Sequence, residues 1–240
     1  LNARRDAFCP NLQGRLEDCL EGRLINVQKR VASRIVLEDD YSDDAVAGVD
    51  QAFLDDLVIS GAVVLDKSQK ITGKACHSMK AAVPYVPGLL SFREGPAALQ
   101  AVRKLEIKPT LIFVDGCGIN HPRMAGLASY VGVILDIPTI GISKNVLCGC
   151  YEIPKGVGEA KPLVYDGQAV GYVLKSKKGC RPIVIAPGHR VSVGSSLRLA
   201  LRYLKDHKLP EPSRLAHEYA NCESKRLAQA AFAQAAGAYP

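Results

Sequence analysis

Apolar positions along the chain change period several times, and each change marks an element. From Leu16 to about Asp39 they recur at helical spacing with no internal proline, which predicts an amphipathic helix. Val46–Phe53, Leu57–Asp66 and Lys70–Met79 are rich in β-branched residues and separated by short polar links, so they read as three strands of an antiparallel meander. Glu94 to Leu105 is helical again. Thr110–Gly116 (TLIFVDG) is a continuous apolar run of the kind buried on both faces of a sheet. A helix over about Met124–Leu135, a strand over Pro138–Ser143 and a glycine-rich irregular stretch follow. A hairpin is expected around Asp166 and Gly167, then a strand over Arg181–Gly188. Two helices close the pattern, one over Val193–Asp206 and one that Ser213 can cap, running on through an alanine-rich stretch.

A meander followed by helix-connected strands predicts an α/β fold, a mixed sheet with helices on its faces, as a single domain over residues 1–240. The two ends, 1–15 and about 225–240, are expected to be peripheral. The chain's 240 residues suffice for one substantial core, and a mean hydropathy of +0.03 is that of a soluble globular protein. No apolar run is long enough to span a bilayer, and the stretch LNARRDAFCPNLQG lacks the apolar centre of a secretory signal, so a cytoplasmic protein without a membrane partner is expected. The eight cysteines are scattered, and the closest pair, Cys148 and Cys150, is spaced C-x-C rather than as a zinc motif; free thiols follow. Thirty-one basic against 24 acidic residues leave a net charge of +7, which favours a polyanionic partner. With no tryptophan and 6% aromatic residues, an extended stacking platform for single strands is not expected. Sustained heptads are absent, and a monomer is the default.

Polar residues that interrupt the apolar pattern are the candidates for chemistry. Asp50 falls inside an apolar strand and Asp115 ends another; each is costly to bury unless paired, hydrogen-bonded or bound to a metal. Should the two strands be neighbours, their carboxylates converge and repel, a conflict that a divalent cation relieves, and oxygen ligands suit Mg²⁺ or Mn²⁺. Taken alone, each is equally an aspartate capping a strand end. The loop DGCGINHP (Asp115–Pro122) supplies two glycines for close backbone approach to a ligand, yet no Walker or dinucleotide motif is present. Lys144 follows a strand and could hold a phosphate or simply be solvated. His189 reads as a structural hydrogen-bonder, whereas His217 stays open. In PYVPGLLSFRE (Pro84–Glu94), prolines on both sides hold Tyr85 on a stiff loop, suited to wedging between bases or to burial in a turn.

The stretches AGVD, PYVPGLLSFRE, DGCGINHPR, LDIPTIGISKNVLCG, GYVLKSKKG, PGHRVSVGSSL and LPEPSRLAH, in this order from Ala47 to His217, resemble the endonuclease V family, the deoxyinosine 3′ endonucleases. The resemblance implies an RNase H-like fold and an Mg²⁺-dependent nuclease for which Mn²⁺ substitutes. Asp50, Asp115 and Glu94 would be the metal ligands; His217 would complete the acidic site and Lys144 would contact the phosphate. Tyr85 would be the wedge, with Pro84, Pro87 and His121 contacting DNA. Gly88, Leu90, Gly116, Gly118 and Leu147 would line the base pocket. The implied substrate is DNA containing deoxyinosine, cut at the second phosphodiester on the 3′ side to leave 3′-hydroxyl and 5′-phosphate ends; inosine-containing RNA is a second implied partner. Cys117 and Gln51 depart from the residues usual at their positions and bear on base choice. Two alternatives remain on residues alone: an RNase H-like nuclease that reads branched or hybrid structure, and a nucleic-acid-binding module without turnover.

Overall fold

The computed structural model describes residues 11–237, with side-chain surroundings over 20–234. Its elements are α1 (Asn11–Ala32), β1 (Ala45–Leu54), β2 (Leu57–Asp66), β3 (Ile71–Lys80), α2 (Leu90–Arg103), β4 (Leu111–Asp115), α3 (Leu127–Leu135), β5 (Thr139–Ser143), β6 (Ala160–Tyr165), β7 (Gln168–Leu174), β8 (Ile183–His189), α4 (Val193–Arg202) and α5 (Glu211–Gly237). The strands form one sheet in the order β3-β2-β1-β4-β5-β8-β7-β6. The β1-β2-β3 meander is antiparallel as expected, β1, β4 and β5 run parallel, and β8 returns antiparallel to β5. The first five strands, with only β2 reversed, form the RNase H-like arrangement. Parallel neighbours need crossovers, which α2 and α3 supply.

Alternation along the central strands sorts side chains to two layers. Ala47 and Val49 of β1, with Ile112 and Val114 of β4, pack against Ala98, Ala101, Ala128 and Val131 of α2 and α3. Val46, Leu111, Phe113, Ile140 and Ile142 point the other way, towards Leu199, Ala200 and Tyr203. On that second face α5 lies across β1, and Gly48 is what lets it in: a Cβ there would stand 1.8 Å from the carbonyl oxygen of Pro212. The hairpin at Asp166 and Gly167 forms as expected, with both residues at positive φ (49° and 74°), the conformation of a tight two-residue turn.

Several boundaries differ from expectation, among them the end of α4, at Arg202 rather than Asp206. Helix α1 ends at Ala32 rather than near Asp39, because the segment after it pairs with the β8–α4 turn: Arg190 N donates to Val36 O at 2.7 Å and Asp40 N to Arg190 O at 3.1 Å. The Asp39 carboxylate accepts from Ser192 N and Ser195 Oγ, which hold its pKa down against a partial loss of water. Helix α2 begins at Leu90, a turn before Glu94. Helix α3 begins at Leu127 rather than Met124, which sits at positive φ (52°). Ser213 does not cap α5; the helix starts at Glu211, whose carboxylate pairs with Arg214, and Ser213 is buried inside the first turn. The expectation for the chain's ends falls partly outside the described residues; within them α5 continues through 225–237 and is largely exposed over 225–234. Cys76, Cys117, Cys148, Cys150, Cys180 and Cys222 are free thiols, while Cys9 and the side chain of Cys19 lie outside the described residues.

Candidate acidic site and base cavity

The parallel register of β1 and β4 pairs Val49 with Val114, so Asp50 and Asp115 are the next step on each strand. Both lie on the face that carries Val46 and Gly48 on β1, and Leu111 and Phe113 on β4. The same logic on β5, after Ile140 and Ile142, brings Lys144 to that edge, where its Nζ donates to Asp115 Oδ2 at 3.0 Å. Helix α5, seated against Gly48, delivers His217, whose Nδ1 lies 2.6 Å from Asp50 Oδ2. Asn221, one turn further along α5, places its Nδ2 3.2 Å from the other ring nitrogen.

Asp50 is almost fully buried. Loss of water, reinforced by the charge of Asp115, pushes its carboxyl up to about 8, partly offset by the Gln51 N–H that donates to Oδ1 at 2.7 Å. Glu94, in the second turn of α2, is raised to about 7 by burial and then by Asp115. Lys144 is raised, the carboxylates around it outweighing its own desolvation. This is an edge with more negative charge than its own cation neutralises. Ligand atoms of Asp50, Asp115 and His217 lie within 4.8 Å of one another. Two carboxylate oxygens and an imidazole in that space, with a third carboxylate close enough to repel, fit a divalent cation of the Mg²⁺ or Mn²⁺ kind by donor chemistry. Glu94 stands outside the close trio, near enough for its charge and that of Asp115 to repel.

Beside the acids opens a cavity of about 400 Å³. Asp50, Glu94, Asp115 and Lys144 line its acidic side, and Tyr85, Pro87, Gly88, Leu90, Gly116, Cys117, His121 and Leu147 line the rest. Tyr85 is 66% exposed at the rim, the open alternative for a proline-flanked tyrosine. Two sequence-proposed residues stand off the cavity wall. Pro84 precedes the lining residues, and Gly118 is packed under β8, where a Cβ would meet Pro187 O at 2.1 Å. His121 lines the cavity with both ring nitrogens committed inside the protein. Nδ1 accepts from Arg123 N at 3.1 Å and Nε2 donates to Gly88 O at 3.0 Å, which together define a neutral ring; burial lowers its pKa to about 4. Ser91 Oγ and Gln51 Nε2 also belong to cavity-lining residues and make no hydrogen bond among the described residues. His189 is structural: buried, it accepts from Val36 N at Nδ1 and lies 3.2 Å from Asp136 Oδ1 at Nε2.

Sequence reasoning missed Gln28, Arg93 and Asn221. Arg93 donates to Val83 O at 3.1 Å and stacks 5.5 Å from the centre of the Phe53 ring, tying the tyrosine loop to α2 and β1. Asn221 could have been found from its i,i+4 spacing to His217. Gln28 is one polar residue on an amphipathic helix and carries no local signal.

Acids on the carboxyl edges of adjacent parallel strands, a lysine among them and an open cavity alongside, define on this sheet a nuclease of the RNase H-like class. A family model described as endonuclease V matches residues 29–218. Endonuclease V of Azotobacter vinelandii is 42% identical over 200 residues, covering 81% of this chain and 90% of that protein. The crystal structure of endonuclease V from Streptomyces avermitilis superposes with a TM-score of 0.81 at 35% identity, covering 87% of this chain and 94% of that one. A third similar structure, Ciona intestinalis endonuclease V in complex with DNA containing an inosine, shares the fold with a TM-score of 0.76 at 22% identity, over 88% and 99% of the two chains. The chain belongs to the endonuclease V family.

Proposed function

We propose that this protein is a metal-dependent endonuclease that reads deoxyinosine in DNA and hydrolyses the second phosphodiester on its 3′ side, leaving 3′-hydroxyl and 5′-phosphate ends. The observation that carries the reading is the convergence of Asp50, Asp115 and His217 at one side of a cavity whose rim holds an exposed, proline-flanked tyrosine. Asp50, Asp115 and His217 would hold the cation, with Glu94 completing the acidic set. A bound divalent ion of this kind supplies charge neutralisation at phosphoryl oxygens and a more acidic water.

The chain's own residues account for the rest. Lys144, already oriented by Asp115, presents an ammonium to the phosphate that enters the acidic edge. Asn221 and Asp50 hold the His217 ring between them. Tyr85 fills the gap left when a base leaves the stack, which lowers an extrusion cost of about a few kcal/mol; an inosine pairs weakly and leaves more readily. The cavity is large enough for one base, since binding pockets for small molecules start at about 300 Å³. Hypoxanthine differs from guanine by a missing exocyclic amine, so close walls at Gly88 and Gly116 would reject guanine by contact or by leaving that amine without a partner.

The test is a nicking assay on matched duplexes with and without one deoxyinosine, run with Mg²⁺, with Mn²⁺ and with chelator, the cut mapped at nucleotide resolution. A metal-dependent nick one nucleotide beyond the inosine is expected. Cleavage indifferent to inosine would give the site to a structure-selective nuclease, and binding without cleavage would leave a reader only.

A further inference from the structure

The carbonyl oxygen of Gly88, three residues after Tyr85, accepts from three side chains. Gln28 Nε2 reaches it at 2.8 Å, Arg123 Nη2 at 2.8 Å and His121 Nε2 at 3.0 Å. The donors are tied to one another as well: Arg123 Nε donates to Gln28 Oε1 at 2.6 Å, and Arg123 N to His121 Nδ1. A carbonyl offers two lone pairs, and the turn itself is closed elsewhere, by Leu89 N on Val86 O. Three donors, one of them cationic, therefore converge on an acceptor that the loop's own geometry does not require them to satisfy. Gln28 is 1% exposed, so releasing its amide would leave a buried polar group without a partner.

The clasp joins two segments that both line the cavity and meet at this carbonyl. Gly88 and Leu90 belong to the tyrosine loop and the start of α2, whereas His121 and Ala125 belong to the loop after β4. Gln28 bridges both, because its Nε2 also reaches Ala125 O at 3.4 Å. Neither Gln28 nor Arg123 lines the cavity. We propose that Gln28 and Arg123 are positioning residues for lesion recognition, fixing the two lining segments against each other and thereby setting how strictly a flipped base is sorted. Helix α1, none of whose described side chains lines the cavity, thus takes part in recognition through one amide. This inference rests on the base-reading function proposed above.

Dissociation constants for duplexes with and without one deoxyinosine, measured in chelator, test it alongside single-turnover cleavage at saturating protein with Mg²⁺. Gln28→Ala is expected to reduce the preference for the inosine duplex about tenfold, as befits losing bonds to buried partners, while cleavage of bound substrate stays within a few-fold of wild type. Gln28→Glu retains an acceptor for Arg123 Nε without the donor to Gly88, and should fall between the two. It also serves as the reading should Gln28→Ala not fold. An unchanged preference in the folded variants, or an equal loss on both duplexes, overturns the inference. Wild-type protein without any inosine preference overturns the base-reading function itself, and this inference with it.

Discussion

The acidic edge and the tyrosine loop border the same cavity but are held in different ways. Asp50 and Asp115 sit on central strands, Lys144 just past a third, and His217 on a helix packed into the sheet, so their separations are set by strand register and backbone contact. Tyr85 is on a loop, two-thirds exposed, and its loop is held by side-chain hydrogen bonds from Arg93, Gln28, Arg123 and His121. Under the proposed function, chemistry that fails with small displacements would rest on the rigid scaffold, and recognition, which must admit a duplex, on a loop that hydrogen bonds adjust.

This contrast predicts that the two regions fail differently. Asp50→Ala should lower single-turnover cleavage by more than about 10³-fold while inosine-duplex binding in chelator changes little; loss of binding on the same scale would erase the distinction. Lys144→Ala should cost about 10²-fold in cleavage at saturating protein, the scale of one charge-stabilising contact to a reacting phosphate; an effect confined to KM would move Lys144 into the binding region. Protons report on the acidic edge without substrate. The Asp50 and Glu94 carboxyls lie at about 8 and about 7 in the folded protein, above their ordinary values of 3.8 and 4.5. Over the intervening window the folded state keeps protons that the unfolded chain has released, so stability falls as pH rises. Metal-free protein should lose stability between about pH 6 and about pH 8, by thermal or denaturant melts, and Asp50→Asn should flatten that slope. Added Mg²⁺ should restore wild-type stability at the upper end and leave the variant nearly unmoved. A slope independent of Asp50 would show that the edge stores no such charge conflict. Tyr85→Ala should raise Kd for the inosine duplex about tenfold, one stacking contact's worth, with cleavage of bound substrate nearly intact; equal loss in turnover at saturating protein would make the loop part of the chemistry.

The site was legible in the chain to unequal depth. Asp50 and Asp115 stood out because a carboxylate in an apolar strand demands an explanation, and the expectation that they converge was met by the β1–β4 register. His217 was undecided from sequence, since only the seating of α5 on Gly48 aims it at Asp50. Gln28 left no trace in the pattern, because a polar residue on an amphipathic helix usually faces water, and its burial depends on segments 60 and 97 residues away.

Local periodicity, turn chemistry and the order of motifs determined that this is an α/β protein of the endonuclease V family with an acidic centre, because strand alternation, helical spacing and tight turns are short-range properties of the chain. Where α1 stops, how α5 seats on the sheet, which face the acids share and what grips the Gly88 carbonyl were decided by tertiary contact. Each of those depends on partners far apart in sequence, whose burial and hydrogen bonding override local preference once the sheet has formed.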